Sequence, residues 1–267
     1  MAGRAADPVV TSPPVLRRLE AYYTRYYRDT LGIPGWRDLV AGRLADEAHE
    51  GRRLSRLEEA TGRQVAGRSL LNVGCGTGGF NAVAARAGAL AFGVDASEEA
   101  VAIAAARAPD GRVLRGLAEA LPFPAERFDL VFCYSTLEHV ADARRAVGEM
   151  VRVLRPGGLL YLHTPGRWAC FETHYKVLWL PGLPAAAQRA YLRARGRPTG
   201  FLGTLRLLSL GQCRRLLASA GASVTRVLDD GASRPVPSRL WPLIRLHYRL
   251  FRVHPHVELV AVKERRA

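Results

Sequence analysis

The sequence predicts an α/β fold, a mostly parallel sheet wound with helices on both faces, and three observations carry that expectation. In Leu70 to Phe80, L-L-N-V-G-C-G-T-G-G-F, a short apolar run breaks into four glycines and passes at once into an alanine-rich helical stretch. From there to about residue 165, short apolar runs alternate with helical segments, as βαβ units require. Asp95 closes the second apolar run, 19 residues beyond Gly76.

Each observation has a physical reading. Gly74 and Gly76 permit backbone angles closed to other residues, and their missing side chains let a ligand lie against the main chain. The following helix points unpaired N–H groups into the same space. A carboxylate at the end of the second strand stands where doubly wound folds accept ribose hydroxyls. Gly74, Gly76 and Gly79 also satisfy the dinucleotide pattern G-x-G-x-x-G, so the loop alone leaves two cofactor classes open.

A chain of 267 residues, 48% of them hydrophobic, fills one α/β core with an added lobe, which excludes disordered and fibrous classes. Cys75, Cys133, Cys170 and Cys213 lie far apart with no C-x-x-C pair, which reads as a reducing compartment without structural zinc. No segment approaches the roughly 18 apolar residues of a membrane span, and the N-terminus lacks the apolar stretch of a signal peptide. The expected location is cytoplasmic, or at the inner face of the membrane. Of the net charge of +15, residues 166–267 supply +13, with 18 basic against 5 acidic residues. Such a basic region implies an anionic partner: phosphorylated substrate, anionic lipid or nucleic acid.

Taken in order, residues 1 to 14 read as a loose tail, and Val15 to Thr30 as a helix with Tyr22, Tyr23, Tyr26 and Tyr27 near one side. That helix either packs on the domain or forms a lid with its tyrosines facing a substrate. A second helix is expected from about Trp36 to Ala60, and residues 1–62 together as a helical extension of a domain spanning 63–267. After the glycine loop come a helix over Asn81 to Ala87, a strand over Leu90 to Val94, and a helix to about Arg107 capped by Ser97. Strands follow at Arg112 to Arg115 and Phe128 to Cys133. Val177 to Phe201 reads as the heart of an insertion covering about 166–207, with a basic helix through Arg189, Arg193, Arg195 and Arg197. The core resumes with a helix ending at Gly221 and a strand from Val224 to Leu228. A helix over about 238–252 then pairs Arg245, Arg249 and Arg252 with Ile244, Tyr248 and Phe251, and His256 to Val262 closes the sheet.

Through L-L-N-V-G-C-G-T-G, G-V-D-A-S, A-E-A-L-P-F-P-A-E-R-F-D-L-V-F, S-T-L-E-H-V and R-V-L-R-P-G-G-L-L-Y-L, the stretch Gly67 to Pro165 resembles the class I S-adenosylmethionine-dependent methyltransferases of the small-molecule kind. A dehydrogenase would share the glycine loop and Asp95 but has no reason for L-P-F-P or L-R-P-G-G. The resemblance implies a Rossmann-like seven-stranded sheet of order 3-2-1-4-5-7-6, its last strand antiparallel. It also implies S-adenosylmethionine as cofactor. Gly74, Cys75, Gly76 and Gly78 would hold its methionine part, Asp95 with Ala96 its ribose, and Ala118 with Glu119 its adenine, while Asn72 and Ser135 complete the site. Two positions depart from the family. Asn72 stands where an acid is usual, and Leu117 where aspartate often bonds the adenine amino group.

Methyl transfer needs alignment of acceptor, methyl and sulfur, and a base when the acceptor is a hydroxyl. His139 and His174 are the histidine candidates for that base, with Glu172 as a third candidate. His139 reads equally well as a structural residue bonding a nearby loop, and Glu138 as a helix-terminal contact. Some relatives that methylate quinone precursors hold a metal with E-x-x-E-H at this point; Ser135 replaces the first glutamate, so no metal is expected. Glu172 and His174 lie in T-P-G-R-W-A-C-F-E-T-H-Y-K, which is similar to the P-N-R-W-x-x-x-E-x-H stretch of methyltransferases accompanying polysaccharide and glycolipid assembly, with Gly166 in place of the asparagine. The expected reaction is methylation, at oxygen, of a small-molecule, glycan or lipid-linked acceptor, with an anionic membrane met through 238–252. The alternatives are an RNA-directed or other anionic-substrate enzyme and a non-catalytic cofactor-binding protein. Nucleic acid is disfavoured because N-P-P-Y, D-P-P-Y and Pro-Cys are all missing.

Overall fold

The computed structural model describes residues 12–108, 112–228, 240–251 and 253–265. The expected tail before Ser12, and Arg252 of the expected basic edge, fall outside them. Three helices come first: α1 (Pro13–Thr24), which runs into a π-helical turn at Arg25–Thr30, then α2 (Trp36–Leu44) and α3 (Glu47–Thr61). The sequence predicts one helix across 36–60, but the chain breaks at Asp46. Asp46 does not use its carboxylate to cap α3; it accepts from Arg107 Nη2 at 2.9 Å instead, and both side chains are buried. A tertiary ion pair has overridden local helix propensity.

The sheet alternation follows as expected. β1 (Ser69–Val73) leads through the glycine loop to α4 (Gly79–Arg86), then β2 (Leu90–Asp95), α5 (Glu98–Arg107) and β3 (Val113–Arg115). Ser97 Oγ accepts from Ala100 N at 3.2 Å and caps α5 as predicted. β4 (Phe128–Tyr134), α6 (Ala143–Val153) and β5 (Leu154–Pro165) complete the parallel half. The insertion contributes a two-stranded ribbon, β6 (Phe171–Glu172) with β7 (Val177–Leu178), and α7 (Ala185–Ala194). Arg189 and Arg193 ride on α7, whereas Arg195 and Arg197 lie past its end, where Arg197 Nη1 donates to the Gly32 carbonyl. α8 (Leu210–Ser219) opens with a capping box between Ser209 and Gln212, and β8 (Ala222–Leu228), α9 (Trp241–Phe251) and β9 (His256–Lys263) end the fold.

The strand order is β3-β2-β1-β4-β5-β9-β8, with β9 antiparallel to both neighbours. This is the order expected from the resemblance. Because successive strand residues face opposite sides, Leu71, Val73, Val131 and Leu160 pack under α6 and α8, while Leu70, Leu130, Phe132 and Tyr161 pack under α3 and α4. A third apolar cluster lies off the sheet and joins Tyr27, Leu31, Ile33 and Val40 of the N-terminal segment to Tyr175, Val177, Trp179 and Leu192 of the insertion. Leu31, Tyr175 and Leu192 there are 0% exposed, and burial of a large apolar side chain stabilises by roughly 1.5–3 kcal/mol. The two segments added to the sheet are thus fastened to one another over its carboxyl edge.

Candidate active site

A cavity of about 780 Å³ opens at the carboxyl ends of β1, β2, β4 and β5, the position where open α/β sheets take ligands. Its size lies within the roughly 300–1,000 Å³ typical of ligand pockets. Two arms can be told apart by the residues that wall them.

The first arm is the glycine loop. Gly74 has φ of +75°, and a Cβ there would collide with Thr136, whose hydroxyl donates to the Val73 carbonyl at 3.1 Å. Gly76, at φ +52°, faces open space in the cavity. Gly76 N donates to Asp95 Oδ2 at 2.8 Å and Ser97 N to Oδ1 at 2.9 Å, so the carboxylate is fixed and each oxygen keeps a lone pair for a diol. Asn72, Cys75, Ala96, Ala118, Glu119 and Ser135 all reach this cavity. Burial, and then the charge of Asp95, push the Cys75 thiol far up, so it stays protonated.

One of the expected cofactor residues has a packing role. Gly78 does not line the cavity; it is left-handed at φ +80° and its missing Cβ makes room for Ala104 of α5. Its glycine serves helix packing. The two departures from the family are also resolved in space. Asn72 donates its amide to Asn81 Oδ1 at 2.7 Å, forming a buried neutral pair in place of a carboxylate. Leu117 is 56% exposed and puts an apolar side chain on the cavity wall. Bare space at Gly76, a clamped diol acceptor at Asp95 and an apolar rim fit a nucleoside-bearing cofactor.

The second arm is walled by side chains from distant segments. All four tyrosines, Tyr22, Tyr23, Tyr26 and Tyr27, line the cavity, and Tyr23 Oη lies 2.9 Å from Thr77 Oγ1 of the glycine loop. From α2 and α3 come Arg43, His49 and Arg53, with the Arg53 guanidinium 4.0 Å above the Tyr134 ring. Tyr134 stacks on His163 at 4.0 Å, and His163 on His256 at 5.0 Å, which extends a flat ring surface across β4, β5 and β9. Sequence reasoning missed Arg43, His49, Arg53, His163 and His256, because no local motif marks them.

Between the arms sits an acid–histidine cluster. His139 and His174 both line the cavity, their rings edge to face at 5.1 Å, with Phe201 against each. Glu172, the third candidate base, is buried and does not line the cavity. Its Oε1 is 2.8 Å from His174 Nδ1, and its Oε2 accepts from Tyr175 N at 2.5 Å. Glu138, which the sequence reads as a helix-terminal contact, is 0% exposed, and its Oε2 accepts from Thr164 Oγ1 at 2.9 Å. Its Oε1 lies 3.7 Å from His174 Nε2 and 4.0 Å from His139 Nε2. Burial raises the Glu138 carboxyl to about 7, despite His174 pulling the other way. Burial, then His174, lowers His139 to about 4 and keeps it neutral. Burial also opposes charge on His174, but the Glu172 hydrogen bond and the charges of Glu172 and Glu138 outweigh it and raise its pKa. Glu138, His139 and His174 place three ligand atoms within 4.8 Å of one another, a grouping that the expectation of no metal did not foresee.

With this geometry in place, the relatives can be read. Residues 71–162 match the methyltransferase domain family. The chain is 35% identical over 124 residues to a probable S-adenosylmethionine-dependent methyltransferase of Mycolicibacterium smegmatis, covering 46% of this chain and 48% of that protein. It is 33% identical over 129 residues to the ubiquinone biosynthesis O-methyltransferase of Mesorhizobium japonicum, covering 45% and 52% respectively. The chain therefore spans about half the length of the curated relatives it matches. A solved S-adenosylmethionine-dependent methyltransferase from Mesorhizobium loti superposes with a TM-score of 0.54 at 22% identity, over 78% of this chain and 96% of that one, and shares the fold. Family match, sheet order and a cofactor arm centred on Asp95 agree, and the segment 71–162 belongs to the class I S-adenosylmethionine-dependent methyltransferases, with S-adenosylmethionine as its cofactor.

Proposed function

We propose that this chain transfers a methyl group from S-adenosylmethionine to a hydroxyl oxygen of a small-molecule acceptor. The observation that carries the reading is that His139 and His174 line the same cavity as Gly76 and Asp95. The cofactor supplies an activated methyl, and the protein's share is positional. Asp95 would hold the ribose, and Gly74 to Gly76 would let the methionine part lie on the backbone. The tyrosines of α1 and its π-turn would shut water out of the transfer zone, which is the lid role of the N-terminal extension. The Glu138–His139–His174 cluster would orient the acceptor hydroxyl and handle its proton, with Glu172 setting the His174 ring. The ubiquinone biosynthesis O-methyltransferase name of one relative accords with oxygen as the methylated atom.

The acceptor is further proposed to be reached at an anionic lipid surface. Leu243, Leu246, Leu250 and Phe251 of α9 are exposed, and Arg245 and Arg249 on the same helix are exposed as well. Tyr248 Oη accepts from Cys170 N at 2.8 Å and seats α9 beside the loop that follows β5, while the chain beyond α9 enters β9 at His256 on the cavity wall. No helix among the described residues is long and apolar enough to cross a membrane, so contact would be interfacial. Calorimetry with S-adenosylmethionine and S-adenosylhomocysteine tests the first proposal, followed by mass spectrometry of extracts from a deletion strain for a lost methyl. Flotation with phosphatidylglycerol and phosphatidylcholine vesicles tests the second. Equal flotation with neutral and anionic vesicles, or none with either, would overturn it.

A further inference from the structure

Glu138 Oε1 is a buried carboxylate oxygen with no hydrogen-bond partner. Removing such an oxygen from water without a partner is costly, by about 1–3 kcal/mol or more for a charged group, so the fold has a reason to hold it there. Two imidazole nitrogens, His174 Nε2 and His139 Nε2, are the ligand atoms grouped with it, at 3.7 and 4.0 Å. The outer supports are also in place. Thr164 orients the carboxylate through Oε2, and Glu172 holds the far nitrogen of His174, the carboxylate–histidine arrangement found behind metal-ligating histidines. Both rings border the cavity, which leaves the open side of the cluster toward the acceptor.

With Ser135 in place of a glutamate, the loop after β4 supplies Glu138 and His139 to the cluster. The fold brings the third donor from the insertion loop instead, and this changes the chemistry as well as the count. A pair of carboxylates with one imidazole is oxygen-rich and suits hard cations such as Mg²⁺; two imidazoles with one carboxylate suit Zn²⁺, Co²⁺ or Fe²⁺. We propose that Glu138, His139 and His174 bind one divalent transition-metal cation in preference to Mg²⁺, with Glu172 as the residue that positions His174 for it. A cation there would polarise a hydroxyl brought to its open side. This use of the ion rests on the methyl-transfer reading; the binding of the ion does not.

The test is calorimetric titration of the chelator-stripped full chain with CoCl₂, ZnCl₂ and MgCl₂ in turn, with the visible absorption of bound Co²⁺ as a second signal. S-adenosylhomocysteine affinity is measured on every protein as a check of folding. Expected are one Co²⁺ or Zn²⁺ per chain, Mg²⁺ much weaker, and Co²⁺ bands of a nitrogen–oxygen site. Loss of an outer support costs roughly 10–100-fold in metal affinity, so Glu172→Gln should fall in that range and His174→Ala beyond it. S-adenosylhomocysteine affinity should move by no more than about twofold in either variant. Tighter Mg²⁺ than Co²⁺, no uptake by a chain that still binds S-adenosylhomocysteine, or unchanged uptake in His174→Ala would each overturn the proposal. Metal uptake without S-adenosylhomocysteine binding would instead remove the methyl-transfer reading and leave the metal site standing.

Discussion

Along the cofactor arm, the chain meets its cavity with backbone and small residues that follow one another from Asn72 to Thr77, joined by one carboxylate at the end of the neighbouring strand. Along the acceptor arm, it does so with large side chains drawn from α1 to α3, the loop after β4, the loop after β5 and the start of β9. A surface made by consecutive backbone is set by a motif and suits a ligand shared by many enzymes. A surface assembled from separate segments can be altered piece by piece, and under the proposed function this is where acceptor choice would reside. It follows that damage to the first arm should abolish cofactor binding, and damage to the second should spare it.

The comparison can be broken most sharply at Asp95. Charged hydrogen bonds contribute about 1.5–3 kcal/mol each, so losing two to the ribose in Asp95→Ala should weaken S-adenosylmethionine by roughly 10²–10⁴-fold in calorimetry. Next comes His174→Ala, where loss of proton handling should lower methyl transfer by about 10²–10⁴-fold while S-adenosylhomocysteine still binds; parallel loss of both would merge the two arms into one. Arg107→Ala strands Asp46, whose side chain is 8% exposed, and also removes the 3.3 Å bond to the Thr77 carbonyl that ties the end of α5 to the glycine loop. Breaking a buried pair destabilises by about 3–5 kcal/mol, and the thermal midpoint should drop by at least about 6 °C in calorimetric scanning. Leu117→Asp sharpens the picture from the other side: it restores a polar partner at the rim, and should tighten S-adenosylmethionine by about 0.5–1.5 kcal/mol. The smallest effect belongs to Leu243→Asp with Leu246→Asp on the exposed face of α9. Stability and cofactor affinity should stay within about 0.5 kcal/mol, with any change confined to flotation on anionic vesicles.

The two arms were also unequally legible in the sequence. Spacing alone located the glycine loop, Asp95 and the Ser97 cap, because each depends on residues a few positions apart. A glycine in such a loop can serve ligand or packing, and the packing role of Gly78 shows only in the nearness of Ala104. The break at Asp46 depends on Arg107, distant in sequence, and helix periodicity carries no trace of it. Glu138 reads from the sequence as a helix-terminal contact, yet its environment is set by Thr164 and His174 from other strands and loops. The tyrosines of α1 were visible as a stripe, but a stripe does not say which surface it meets. What was missed arises from contacts between separate segments, so it lies mainly in the acceptor arm.

The central claim, that the first arm is an S-adenosylmethionine site clamped by Asp95, is tested most directly by calorimetric titration of S-adenosylhomocysteine into the intact chain and into Asp95→Ala. The predicted result is single-site binding to the intact chain that is lost, at unchanged secondary structure, in the variant. Absence of binding to a folded intact chain, or equal affinity in the two proteins, would contradict it.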